Sequence, residues 1–234
     1  MKFRKFITCV IVAGLAALFS TTQAQEMIYS GFMTDYTQLK KITDGSMDYR
    51  YVAPGAEDKL ARYNAVMIDQ PEIFIANDSP YRGVKPKQLN ALADGLRAAI
   101  AGALSEDFYV VDTPGKKVLY LSVALTNLKL TKKKKSILGY TPVGLVSGAV
   151  KGAATSNIAK KANLQGVVLE LEAFDSITNE RLVAIIDSRG SDAKNPSSWE
   201  ELEELMAIYG SRLQCRFNNS RLPAEQRVNC LARN

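Results

Sequence analysis

The sequence predicts an α+β protein: a mixed, mostly antiparallel sheet with two main helices packed on one face and a Gly-rich insertion. Three observations lead there. Residues 85–104 carry leucines at helical spacing between segments rich in β-formers. Residues 165–189 alternate apolar and polar positions on either side of a short turn. A second amphipathic helix follows near residue 198. The order is strand, helix, two strands, insertion, hairpin, helix. The strand–helix–strand crossover makes a parallel pair and the hairpins add antiparallel neighbours, so the sheet is mixed.

The elements follow in chain order. Residues 25–62 are polar, tyrosine-rich and punctuated by Gly31, Gly45, Pro54 and Gly55, which reads as an extended N-terminal arm with one short strand at residues 49–52. Residues 64–75 are rich in β-formers but contain Pro71, which predicts two short strands or an edge position. Pro86 suits the first position of a helix over residues 85–104. Leu89, Leu92, Leu96, Ile100 and Leu104 form its apolar stripe. A short strand at residues 108–111 and a turn at Thr113, Pro114 and Gly115 lead into a long strand at residues 118–130. Leu119, Leu121, Val123 and Leu125 alternate onto one of its faces. In the hairpin, Val167, Leu169 and Leu171 face one way, and Glu170 and Glu172 the other. That predicts one buried face and one wet face. The last helix spans residues 198–213. Ser197 or Ser198 caps it, Glu200 or Glu201 completes a capping box, and Trp199, Leu202, Leu205, Met206 and Tyr209 form its apolar face.

Ahead of this domain, Lys2, Arg4 and Lys5 precede an apolar run at residues 6–19 and the small-residue site Thr22-Gln23-Ala24. This reads as a secretory signal cut after Ala24. An uncleaved anchor is the alternative, although the run is shorter than the ~20 residues a spanning helix needs. Without residues 1–24, the formal charge falls from +6 to +3. Cys9 lies inside the apolar run and is a poor lipidation site. Cys215 and Cys230 are read as a disulfide in an oxidising compartment, against two free thiols. The domain then occupies residues 63–214, with an insertion at 131–163 and a disulfide-tied tail at 215–234.

The chain contains no histidine, which excludes Ser-His-Asp and Cys-His catalysis and imidazole metal sites. No cofactor and no nucleic-acid partner is expected. Glu170 and Glu172 stand about 7 Å apart by strand rise, a separation compatible with glycosidase chemistry. Alternating glutamates that keep one strand face in water are the simpler reading. No enzyme activity is expected.

The insertion offers more. Lys129, Lys132, Lys133, Lys134 and Lys135 precede a charge-free stretch at residues 136–150, with Gly144, Gly148 and Gly152 in a doubled G-x-x-x-G pattern. Three readings stay open: packing on the chain's own sheet, self-association through the glycine face, and docking on an anionic membrane surface over residues 129–159. The tail carries Arg221, Arg227 and Arg233, which suit an anionic partner or, more simply, solvent.

Ser30-Gly31-Phe32-Met33-Thr34-Asp35-Tyr36, residues 49–56, 63–68, 89–94, 110–115 and 174–180, and the helix from Trp199 together resemble a bacterial envelope family known as domain of unknown function 3313. The resemblance spans residues 30–214 and its motifs are turn and packing motifs. It implies an envelope location, periplasmic or secreted here, and no active site. Members are often lipoproteins, and this chain departs from them in lacking a usable lipidation cysteine. The layout also looks like the periplasmic domains of curli-secretion and penicillin-binding-protein-activator lipoproteins, a likeness of fold alone. The expected function is an envelope interaction or assembly module, with peripheral membrane or lipid binding as the alternative. An envelope protein or a membrane surface is the expected partner.

Overall fold

The computed structural model describes residues 29–43, 47–133, 158–188 and 197–230. They form a mixed, mostly antiparallel sheet of eight strands with three α-helices. The elements are β1 (Lys40–Lys41), β2 (Tyr49–Val52), α1 (Ala56–Leu60), β3 (Ala65–Ile68), β4 (Glu72–Ile75), α2 (Pro86–Leu104), β5 (Tyr109–Val111), β6 (Val118–Lys132), β7 (Ala162–Asp175), β8 (Arg181–Asp187) and α3 (Trp199–Ser220). The strand order is β1-β2-β8-β7-β6-β3-β5. β3 and β4 run end to end along β6, both parallel to it, and Pro71 falls at their junction. A residue without an N–H cannot continue a ladder, so the segment breaks there.

β6 and β7 form the central antiparallel hairpin. Leu119, Leu121, Val123 and Leu125 of β6 enter one buried cluster with Leu164, Val167, Leu169 and Leu171 of β7. The register then shifts between Thr126 and Lys129, where Asn127 takes a left-handed conformation. One extra residue flips the parity, so Leu128 and Leu130 join the same cluster from even positions. Asparagine tolerates this backbone better than most residues.

Leu92, Leu96, Ile100 and Leu104 of α2 and Trp199, Leu202, Leu205, Met206, Tyr209 and Leu213 of α3 belong to that cluster. The helices meet closely at Gly210, where an added Cβ would stand 2.8 Å from the Ala103 Cβ. α2 begins at Pro86, and the Lys85 N–H donates to Gln88 Oε1 at 3.1 Å. α3 is capped by Ser198, whose hydroxyl oxygen accepts the Glu201 N–H. The helix runs seven residues beyond the expected Leu213. Phe217 continues the Tyr209, Leu213 stripe and packs edge-on against Phe108 at 5.4 Å.

The wet face expected for Glu170 and Glu172 is buried. Glu170 is 0% and Glu172 4% exposed. The N-terminal arm lies across this face and forms a second cluster from Met33, Tyr36, Leu39, Val168, Ala184 and Ile186. A polar and apolar alternation therefore marks two covered faces here, one lined with leucine and one with glutamate, tyrosine and valine.

The insertion is also shorter than its predicted limits. β6 reaches Lys132 and β7 starts at Ala162, directly opposite it. The Lys133 N–H donates to the Lys161 carbonyl at 2.8 Å. Lys134, Lys135, Gly144, Gly148 and Gly152 lie outside the described residues, as do the predicted signal segment and Arg233.

Candidate functional site

The buried carboxylates are the first candidate. β7 places Glu170 beneath the arm. Its Oε2 accepts the Tyr36 hydroxyl at 2.8 Å and its Oε1 accepts the Thr126 hydroxyl at 2.7 Å. The Tyr36 oxygen in turn accepts the Met33 N–H at 3.1 Å and lies 2.9 Å from the Ser30 hydroxyl. Burial pushes the Tyr36 phenol up, and Glu170 adds to that shift against the donors at Ser30 and Met33. The phenol therefore stays protonated and donates.

Two residues along β7, Glu172 Oε1 accepts from Arg181 Nη1 at 2.9 Å. The same guanidinium donates to the Asp35 carbonyl at 2.6 Å and to Gln38 Oε1 at 3.1 Å, and stacks over the Tyr51 ring at 4.7 Å. Burial pushes the Glu172 carboxyl up. Arg181 pulls it back, while Glu170 and Asp35 push it further up. Asp35 itself is held below the usual carboxylate range, first by the hydroxyl and N–H of Thr37. The two glutamates thus tie the arm to the sheet with donors from Tyr36, Thr126 and Arg181. Both are buried.

The second candidate is an open cleft of about 330 Å³ at the carboxyl ends of β3 and β5. Such ends are where ligands usually bind in parallel sheets. Asp69 follows β3, Asp112 follows β5, and Arg97 of α2 spans them, donating to the Ile68 carbonyl at 3.0 Å and to Asp112 Oδ1 at 3.2 Å. The Tyr120 hydroxyl donates to Asp69 Oδ2. Burial, then Asp69, pushes the Tyr120 phenol up to about 12. Gln70 also lines the cleft, but its amide donates to Asp94. These residues make a small polar surface whose side chains bond mainly to one another.

The sequence-derived candidates divide as follows. Cys215 and Cys230 are bonded to each other, with Cα atoms 5.6 Å apart. The bond fastens the tail to α3, and the Asn219 side chain bonds both the N–H and the carbonyl of Val228. Of the tail arginines, Arg221 departs from the expectation of solvent, while Arg227 stays exposed beside Glu57. Arg221 donates to the Tyr63 carbonyl and stacks over Phe108 at 4.1 Å, and Arg227 pairs with Glu57 at 3.0 Å. Lys129 pairs with Asp78 at 2.7 Å. Lys132 and Lys133 are exposed at the far end of the β6–β7 hairpin. Among the described residues, no group of three or more His, Cys, Asp or Glu side chains is disposed to hold a metal.

Tyr36, Thr126 and Arg181 escape the sequence reading. A signal exists: Val168, Ala184 and Ile186 share the face of Glu170, and apolar side chains there imply a cover. The cleft has a fainter one, since Asp69 and Asp112 each directly follow a β-rich segment.

The fold and these sites define a disulfide-bonded α+β sheet protein whose buried polar groups hold an N-terminal arm. The chain belongs to the family described as "protein of unknown function (DUF3313)", whose model matches residues 28–213. No curated protein matches it. Among solved structures it is similar to a PelC dodecamer from Paraburkholderia phytofirmans, at 14% identity over 70% of this chain and 94% of that one, with a TM-score of 0.33. A neuraminyllactose-binding hemagglutinin homolog from Helicobacter pylori is similar at 10% identity over 70% and 84%, with a TM-score of 0.33. Protein XCC0632 from Xanthomonas campestris is similar at 9% identity over 64% and 81%, with a TM-score of 0.31. At these scores the likenesses carry no functional statement. Among the described residues, no helix is long and apolar enough to cross a membrane.

Proposed function

We propose that the protein is a non-enzymatic interaction or assembly module of the bacterial envelope, exported and cut near Ala24. The observation that carries this reading is the state of its buried carboxylates. Both oxygens of Glu170 are taken by hydroxyl donors, and Glu172 Oε1 is taken by Arg181. General acid–base chemistry needs a carboxyl within reach of a substrate proton. These carboxyls reach the arm instead. The Cys215–Cys230 bond suits an oxidising compartment. The two helices that cover the leucine-lined face leave the sheet ends and turns as contact surface, where Ile177 is 62% exposed.

The test is site-specific crosslinking from Ile177 and from Val228 in intact cells, with hydrolase assays on residues 25–234. A recurring envelope-protein adduct and no turnover are expected. Glycoside or ester hydrolysis that disappears in a folded Glu170→Gln variant would overturn the reading.

A second reading, peripheral membrane binding through residues 129–159, is favoured by the exposed Lys132 and Lys133 at the hairpin end. Flotation with anionic liposomes at low salt that weakens at high salt would support it. Flotation unchanged by converting Lys132, Lys133, Lys134 and Lys135 to serine would count against it.

A further inference from the structure

The two ends of the strand order are built differently. One end is β1, only Lys40 and Lys41, both exposed. A very short strand with lysines is a standard guard against pairing with another chain. The other end is β5, whose residues are Tyr109, Val110 and Val111. It carries no charge, no proline and no bulge. Tyr109 is 74% exposed and Val110 39%.

Among the described residues, β5 pairs with β3 on its inner side and with no strand on its outer side. The Tyr109 N–H donates to the Asn64 carbonyl at 3.1 Å. Backbone groups alternate along a strand, so Tyr109 and Val111 turn theirs inward to β3 and Val110 turns its N–H and carbonyl outward. An edge with no charge or proline in its three residues and a single outward residue at its centre is self-complementary. Set against a second copy about a two-fold axis, Val110 meets Val110 as a hydrogen-bonded antiparallel pair that exchanges both N–H···O bonds.

The side chains fit the same register. The exposed Tyr109 ring of each copy falls opposite Val111 of the other, an aromatic and β-branched cross-strand pair made twice. Asp112 falls opposite Phe108 on the helix-bearing side. The Asp112 carboxylate bonds Arg97 through Oδ1 and is 90% exposed. The Phe108 ring carries the Arg221 guanidinium at 4.1 Å. Each two-fold pairing therefore brings an exposed carboxylate towards a guanidinium, twice.

We propose that β5 is a self-association edge, and that two copies of this chain pair antiparallel through Tyr109, Val110 and Val111. Three residues per strand make a small interface, so the dimer is weak and forms in the micromolar range.

Sedimentation of residues 25–234 across that concentration range is expected to show a reversible monomer–dimer equilibrium. Val110→Pro removes the outward N–H while leaving the bonds to β3, and should abolish the dimer. Tyr109→Lys places a charge on the edge and should weaken it about tenfold or more. The Tyr109 side chain is mostly exposed, so this second variant keeps its fold if Val110→Pro does not. Val110→Cys should oxidise to a covalent dimer, because Cα atoms in such a pair stand about 5.5 Å apart. Lys40→Cys, on the guarded edge, should not. A monomer at every concentration would overturn the proposal. So would a dimer indifferent to both edge substitutions, or equal crosslinking from Lys40→Cys.

Discussion

The two faces of β7 are both dry, and by different means. On one, Leu169 and Leu171 meet the leucines of β6 and the residues of α2 and α3. On the other, Glu170 and Glu172 lie under an arm held by Tyr36, Thr126 and Arg181. The first face is held by apolar area, which needs no partner of a particular shape. The second holds only while each polar group keeps its donor or acceptor, because a buried carboxylate without one is costly. The helix-side face should therefore answer to volume and the arm-side face to single atoms.

The largest expected effect breaks the first face. Leu121 is fully buried, and Leu121→Ala should destabilise the fold by about 2–5 kcal/mol in urea unfolding. A loss within surface-mutation range would show that the cluster is not a continuous core. Tyr36→Phe should cost less, about 1–3 kcal/mol, since it removes one donor to a buried carboxylate. Its local signature should be sharper: the Met33 N–H, which donates to the Tyr36 oxygen, should lose protection from hydrogen exchange while the α2 amides keep theirs. Equal loss in both regions would deny that the arm is a separate unit.

The smallest effect is a matter of sign. Glu172 is held above its ordinary value by burial, against the pull of Arg181. A carboxyl with a raised folded pKa binds its proton more tightly in the folded state. Its contribution to stability grows as pH falls through the folded value and is complete below the unfolded one. Asp35, held low by Thr37, runs the opposite way and loses its contribution as pH falls. The stability difference between the native chain and Glu172→Gln should therefore shift in favour of the native chain between neutral pH and about pH 4. Unfolding curves at several pH values measure it, and a shift the other way would place Arg181 above burial as the dominant influence.

The same contrast explains what is legible in the sequence. The α2 stripe, the β6 alternation and the break at Pro71 are local patterns with fixed periods, and the structure carries each of them. Cys215 and Cys230 are readable as the two cysteines that remain once the predicted signal segment is set aside. The arm is not readable, because Tyr36 and Glu170 stand 134 residues apart and no period links them. β7 misleads for a physical reason. A strand with glutamates on one face looks half-wet unless Val168 is read as the residue that demands a cover. The bulge at Asn127 is hidden as well, since one left-handed residue moves Leu128 and Leu130 back onto the leucine face.

The claim that the buried polar groups serve the arm is tested most directly by a double-mutant cycle between Tyr36→Phe and Glu170→Gln. Unfolding free energies of the two single variants, the double variant and the native chain supply the coupling. The account predicts a coupling of about 1 kcal/mol or more, as for contacting residues in one hydrogen-bond network. Additive effects would contradict it and return Glu170 to the search for chemistry.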